Sequence, residues 1–139
     1  MTSTYTLLFT GHLLDAAERA SQRFPHHMIG EVDALIKTSI NEIAKLQLIG
    51  LAVSSLGAGG DMLFAAEMIR RKIPLIVFLP FGKERFLNAS VDYLKGTPDE
   101  NPDEWRTEFE RILALATEVR YTTNATAEGN VNEYARCNA

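Results

Sequence analysis

The sequence is poor in the residues that mark several protein classes. It has a single cysteine, Cys137, in 139 residues. That excludes an internal disulfide framework and a cysteine-rich metal site, and it fits a reducing compartment. No apolar run approaches the length of about 18 residues that a membrane-spanning helix needs. The amino-terminal "MTSTYTLLFTGH" lacks the basic flank and long apolar segment of a secretory signal. There is no excess of basic residues either: 14 Lys and Arg stand against 18 Asp and Glu, a net charge of −4. A nucleic-acid binder normally carries a basic face. The expectation is a cytoplasmic protein with neither nucleic acid nor membrane as partner. Adjacent His26 and His27 have no Asp, Glu or Cys at ligand spacing, so no metal site is expected.

Apolar residues make up 46% of the chain and charged residues 23%. One compact domain over 1–139 with a sizeable core is affordable. Four short apolar or β-branched runs read as strands: "YTLLFT" (5–10), "GLAVSS" (50–55), "IPLIVFLP" (73–80) and "EVRYTT" (118–123). Between them lie helical patterns. From 28 to 45, Val32, Leu35, Ile36, Ser39, Ile40 and Ile43 recur at helical spacing. Residues 61–72 carry Met62, Ala65, Ala66 and Ile69 on one face. "FGKERFLNAS" accommodates a short helix. A fourth helix begins with Asn101 as cap, Pro102 at its first position and Asp103 and Glu104 in its first turn, and it carries an apolar stripe of Trp105, Phe109, Ile112, Leu113 and Ala116. "VNEYARCNA" begins a last helix, and two readings stay open: the helix is short, or the chain is an amino-terminal fragment ending inside it. Residues 12–27 look irregular.

Alternation of strand and helix predicts an α/β fold, a Rossmann-like three-layer sandwich with a mostly parallel sheet of at least four strands. Such sheets take ligands at the carboxyl ends of their strands. The turn after the second strand reads "SSLGAGGD". Gly57, Gly59 and Gly60 permit close backbone approach, and the helix behind them adds partial positive charge. Two readings stay open. The turn is a tight connection that Asp61 caps. Alternatively, a phosphate sits on the N–H groups of 57–60, with a ribose hydroxyl or amine near Asp61. The run is neither G-x-x-x-x-G-K-[ST] nor G-x-G-x-x-G. Ser55 precedes the turn. Gly11 and His12 end the first strand, with Asp15, Arg19 and Arg23 after them. Arg85 follows the third strand, and Tyr134 lies on the final helix. Asp61 and Glu67 are the candidate catalytic carboxylates. No cofactor is implied. Phe81, Phe86, Leu87, Val91 and Tyr93 form an apolar cluster beyond the third strand, read either as a homodimer or higher oligomer surface or as a cover over the domain's own cleft.

A strand ending in Gly11-His12, then "SSLGAGGD" opening a helix, then "IPLIVFLPF", resembles the SLOG superfamily of Rossmann-like domains. That group includes the LOG cytokinin-activating phosphoribohydrolases, Smf-like DNA-processing proteins and nucleotide-sensing domains. More narrowly, "GHLLDAAERASQRFP", "SSLGAGGDMLFAAE", "VFLPFGKERFLNASVDY", "EFERILALA" and "EYARCN" are similar to bacterial domains found beside cyclase or TPR modules. The resemblance implies nucleotide binding or sensing at the glycine loop, in a signalling module with a fused or partner effector domain. It places Gly57, Gly59 and Gly60 on the phosphate loop, Gly11 and His12 on the first-strand turn, and Asp61 where Smf-like proteins carry an aspartate. The phosphoribohydrolase motif P-G-G-x-G-T-x-x-E is not reproduced: its threonine and glutamate are missing after Gly60. Sensing is therefore the first expectation. An N-glycosidic hydrolase acting on nucleoside monophosphates or NAD-like substrates is the second, and a ligand-free oligomerisation module the third.

Overall fold

The computed structural model describes residues 3–17, 19–95, 97 and 100–122. They fold as α/β, with a four-stranded, all-parallel sheet in the order β1 (Thr4–Leu8), β2 (Leu48–Ser54), β3 (Leu75–Leu79), β4 (Glu118–Tyr121). The connections run through α1 (Ile29–Leu46), α2 (Gly60–Arg70), α3 (Lys83–Ser90) and α4 (Pro102–Leu115). This is consistent with the expected Rossmann-like α/β sandwich; of the three layers expected, the described residues form the sheet and one helical layer. All four expected strands and the four helices within the described residues form, with ends moved by at most two residues. The final helix expected from 131 lies outside the described residues.

Each crossover advances one strand in the same direction. Parallel crossovers are right-handed, so successive ones land on one face of the sheet. The contacts agree: α1 packs on α2 and α2 on α4. Alternate strand residues meet this helical layer. Ala52, Val77 and Leu79 are wholly buried, and Leu75 is 1% exposed. From α4, Phe109 and Ile112 complete the same core. On the other face Leu51, Val53 and Ile76 remain half-buried, and Leu8 beside Val53 is 67% exposed.

Local chemistry sets the elements. The Asn101 side chain accepts from the Asp103 N–H at 3.1 Å, and Pro102 opens α4 at a position where the N–H that proline lacks would have no intrahelical partner. In α1, Val32, Ile36, Ile40 and Ile43 turn toward the core. Leu35, expected in that stripe, points outward and is 65% exposed. The described residues of 12–25 form an irregular loop that leads into a 3-10 turn over His26–Met28.

The cluster beyond β3 corrects one expectation. Phe81, Leu87 and Val91 are fully buried, Phe86 is nearly so, and Tyr93 is half-buried. They close over the domain's own core and cleft, with Phe86 packed between Phe81 and Phe109. As a surface for self-association they are spent. Among the described residues, no helix is long and apolar enough to cross a membrane.

Glu67, a candidate catalytic residue, also has a structural role. It is 2% exposed, and Arg70 Nε at 2.9 Å and Arg71 Nε at 2.7 Å donate to it. Arg71 in turn reaches Asn41 on α1, so the pair clamps α2 to α1. Hydrogen bonds from Arg70 lead the causes that hold the Glu67 carboxyl down at about 2. Its contribution is present above the ordinary value of 4.5 and is lost as pH falls toward 2. Glu67→Gln is expected to cost roughly 2 kcal/mol in urea unfolding at pH 7 by loosening a buried pair. Ligand binding should be unchanged, because Glu67 does not line the cleft described next.

Candidate functional site

A cleft of about 750 Å³ opens at the carboxyl ends of β1, β2 and β3. Of the sequence-predicted residues it gathers Gly11, His12, Arg19, Ser55, Gly57 and Asp61. Gly59, Gly60 and Arg85 do not line it. The Arg85 guanidinium lies 5.0 Å from the Phe81 ring centroid. Tyr134 is outside the described residues. Glu67 opens instead on a separate groove between α1, α2 and α4.

The glycine turn is organised by a chain crossing. Residues 12–14 run antiparallel to 58–60, with Leu14 N–H donating to Ala58 O at 2.9 Å and Gly60 N–H to His12 O at 3.2 Å. Gly59 sits at φ +131°, where L side chains are strained. A Cβ there would lie 2.8 Å from both His12 O and Leu14 N, which are backbone atoms with no room to yield. Gly59 is therefore a packing glycine. The close backbone approach it permits is to residues 12–14 of the chain itself.

The N–H groups of the turn are largely committed within the protein. Ala58 N–H donates to Ser90 O at 2.8 Å. Gly57 N–H donates to Asp61 Oδ2 at 3.2 Å, and Gly11 N–H also bonds this carboxylate. The anion in this nest is the chain's own Asp61. Burial is the dominant influence on it and pushes its pKa up from 3.8 to about 6, against the lowering effect of the two N–H donors.

The cleft's other end is basic. The Asp15 carboxylate accepts from Arg23 N–H at 3.1 Å and Phe24 N–H at 3.1 Å, and Asp15 N–H donates to Phe24 O at 2.9 Å. This folds 15–24 into a closed loop with Arg19 and Arg23 on the cleft. Arg19 Nε donates to Ser21 O at 2.7 Å and lies 3.6 Å from Asp15. Among the described residues no carboxylate pairs with the Arg23 guanidinium. Tyr93 forms one wall. Its hydroxyl donates to Leu14 O at 2.5 Å, and burial raises it above its ordinary pKa. The sequence offered no sign of this role. Tyr93 stood there as one apolar cluster member, and its reach over 79 residues to Leu14 is purely tertiary.

Comparison with known proteins yields no match to any family model and none among curated proteins.

Two outcomes follow. Gly59→Ala should lower the unfolding free energy by at least ~2 kcal/mol, through strain and backbone overlap. Gly57→Ala should cost under about 1 kcal/mol, because its nearest neighbour is the end of the movable, 39% exposed Leu13 side chain. Denaturant titration of both separates them. Asp61 also gives stability a pH dependence. Its folded pKa lies above its unfolded one, so its ionised form is a penalty that is full above pH 6 and absent below 3.8. Stability should rise as pH falls from 7 toward 5, by a maximum on the order of 3 kcal/mol from this group. Asp61→Asn should remove that rise in unfolding curves taken across the window.

Proposed function

We propose that the chain binds a nucleotide-type small molecule in this cleft as a sensing or regulatory module. One observation carries the reading: a desolvated carboxylate, Asp61, and a guanidinium with no carboxylate partner among the described residues, Arg23, line a single cleft at the strand ends. Folding stability is spent on holding Asp61 there ionised, and perturbed carboxylates of this kind concentrate at functional sites. The volume suits a small ligand, and Tyr93, Phe86 and Pro80 offer an apolar wall for a planar base. The SLOG-like residues Gly11, His12, Gly57 and Asp61 all meet in this place.

A thermal-shift screen over nucleoside mono- and diphosphates, NAD, ADP-ribose and cyclic nucleotides tests the reading. A ligand at 100 times its Kd should add about 2.7 kcal/mol of stability. Failure of every ligand to shift the transition would overturn it.

A second reading has its own support. A carboxyl group titrating near 6 is suited to general acid–base work, as N-glycosidic cleavage requires. That reading expects free base on incubation with nucleoside monophosphates or NAD, with turnover reduced at least ~100-fold in Asp61→Asn while binding persists. Binding without base release supports the sensor.

A further inference from the structure

We infer that the glycine end of the cleft reads the vicinal diol of a ribosyl group through Asp61, and that the ligand's phosphate lies at the opposite end, against Arg23 with Arg19 beside it. This rests on the nucleotide reading above and reverses the placement expected from the glycine pattern.

Three observations carry it. Four of the donors at the turn are committed: Gly57 and Gly11 to Asp61, Ala58 to Ser90 O, and Gly60 to His12 O. The carboxylate at the start of α2 offsets the partial positive charge of the helix terminus and repels an approaching phosphate. Gly59 and Gly60 do not line the cleft.

Asp61 still has acceptor capacity, since a carboxylate offers about four lone-pair sites and two N–H donors are accounted for. A vicinal diol brings two neutral donors to such a group. An ammonium group is disfavoured, because Arg19 and Arg23 share the cleft and repel a cation. A ribosyl phosphate resolves both ends at once, with neutral donors for the buried carboxylate and a dianion for the guanidinium. Arg23 suits this role because the Asp15 clasp fixes its backbone without neutralising its side chain. The fork of a guanidinium matches phosphate oxygens in pairs.

The test compares ligands within each protein, so a general loss of affinity in a variant cancels. Ribonucleoside 5′-monophosphates, their 2′,3′-dideoxy counterparts and the unphosphorylated nucleosides are titrated by calorimetry into the parent, Asp61→Asn and Arg23→Gln. Urea unfolding first confirms that each variant is folded, and Arg23→Lys replaces Arg23→Gln if that variant is not. In the parent, removing the diol should weaken binding about tenfold, and removing the phosphate about tenfold or more. In Asp61→Asn the diol preference should shrink to within about twofold while the phosphate preference stays. In Arg23→Gln the phosphate preference should shrink and the diol preference stay. Loss of the phosphate preference in Asp61→Asn, or equal preferences in all three proteins, overturns the inference and leaves the nucleotide reading intact. Absence of any binding by the parent overturns the nucleotide reading itself, and this inference with it.

Discussion

A single buried carboxylate ties together the ends of two strands. Asp61 leans back from the first turn of α2 to accept from Gly57, just beyond β2, and from Gly11, just beyond β1. The antiparallel crossing of 12–14 over 58–60 brings those two turns into reach, and Gly59 lets the backbones meet. Remove the crossing and the floor of the cleft separates into two loops. The walls depend on it in turn, because Tyr93 is anchored on Leu14 O, within the crossing segment.

The arrangement is costly, and the cost is informative. A carboxylate between two N–H donors at a helix start would ordinarily have its pKa lowered. Here desolvation outweighs those donors. Glu67, six residues further along the same helix, shows the contrary balance: 2% exposed, it is held down at about 2 by two arginines. The fold thus supplies counter-charge to the carboxylate that clamps α2 to α1 and withholds it from the one that faces the cleft. Asp61 takes its partners from backbone dipoles alone, which leaves its remaining lone pairs available to a ligand. The cationic groups of the site stand apart, on the loop that Asp15 clasps.

Much of the fold was legible because its signals are local. "IPLIVFLP" reads as a covered strand from composition alone, and β3 is its outcome, with Leu75, Val77 and Leu79 at most 1% exposed. Asn101-Pro102 marks a helix start by side-chain chemistry that needs no tertiary partner, and α4 begins there. Half of the site was legible for the same reason. In a parallel sheet, residues just after the strands converge at one end, so Gly11, His12, Ser55, Gly57 and Asp61 could be named before their geometry was known. Glu67 could not be excluded from one-dimensional spacing. Its burial against α1 depends on Arg71 and Asn41, a contact between residues 30 apart.

The sequence by itself determined the alternation of strand and helix, a mostly parallel sheet and the end of that sheet at which the cleft opens. Those follow from periodicity, turn residues and the handedness of crossovers, which neighbours along the chain impose. Only the tertiary structure decided what the glycines are for. Glycine spacing says that backbone comes close to something, and it does not say to what. Here the partner of Gly59 is the chain itself, and the anion in the nest is Asp61. Likewise the Phe81 cluster was visible as apolar sequence, but whether it faced solvent or core depended on how α3 and α4 close over β3. Such choices are made by packing between distant segments, where excluded volume and desolvation act and local preference has no say.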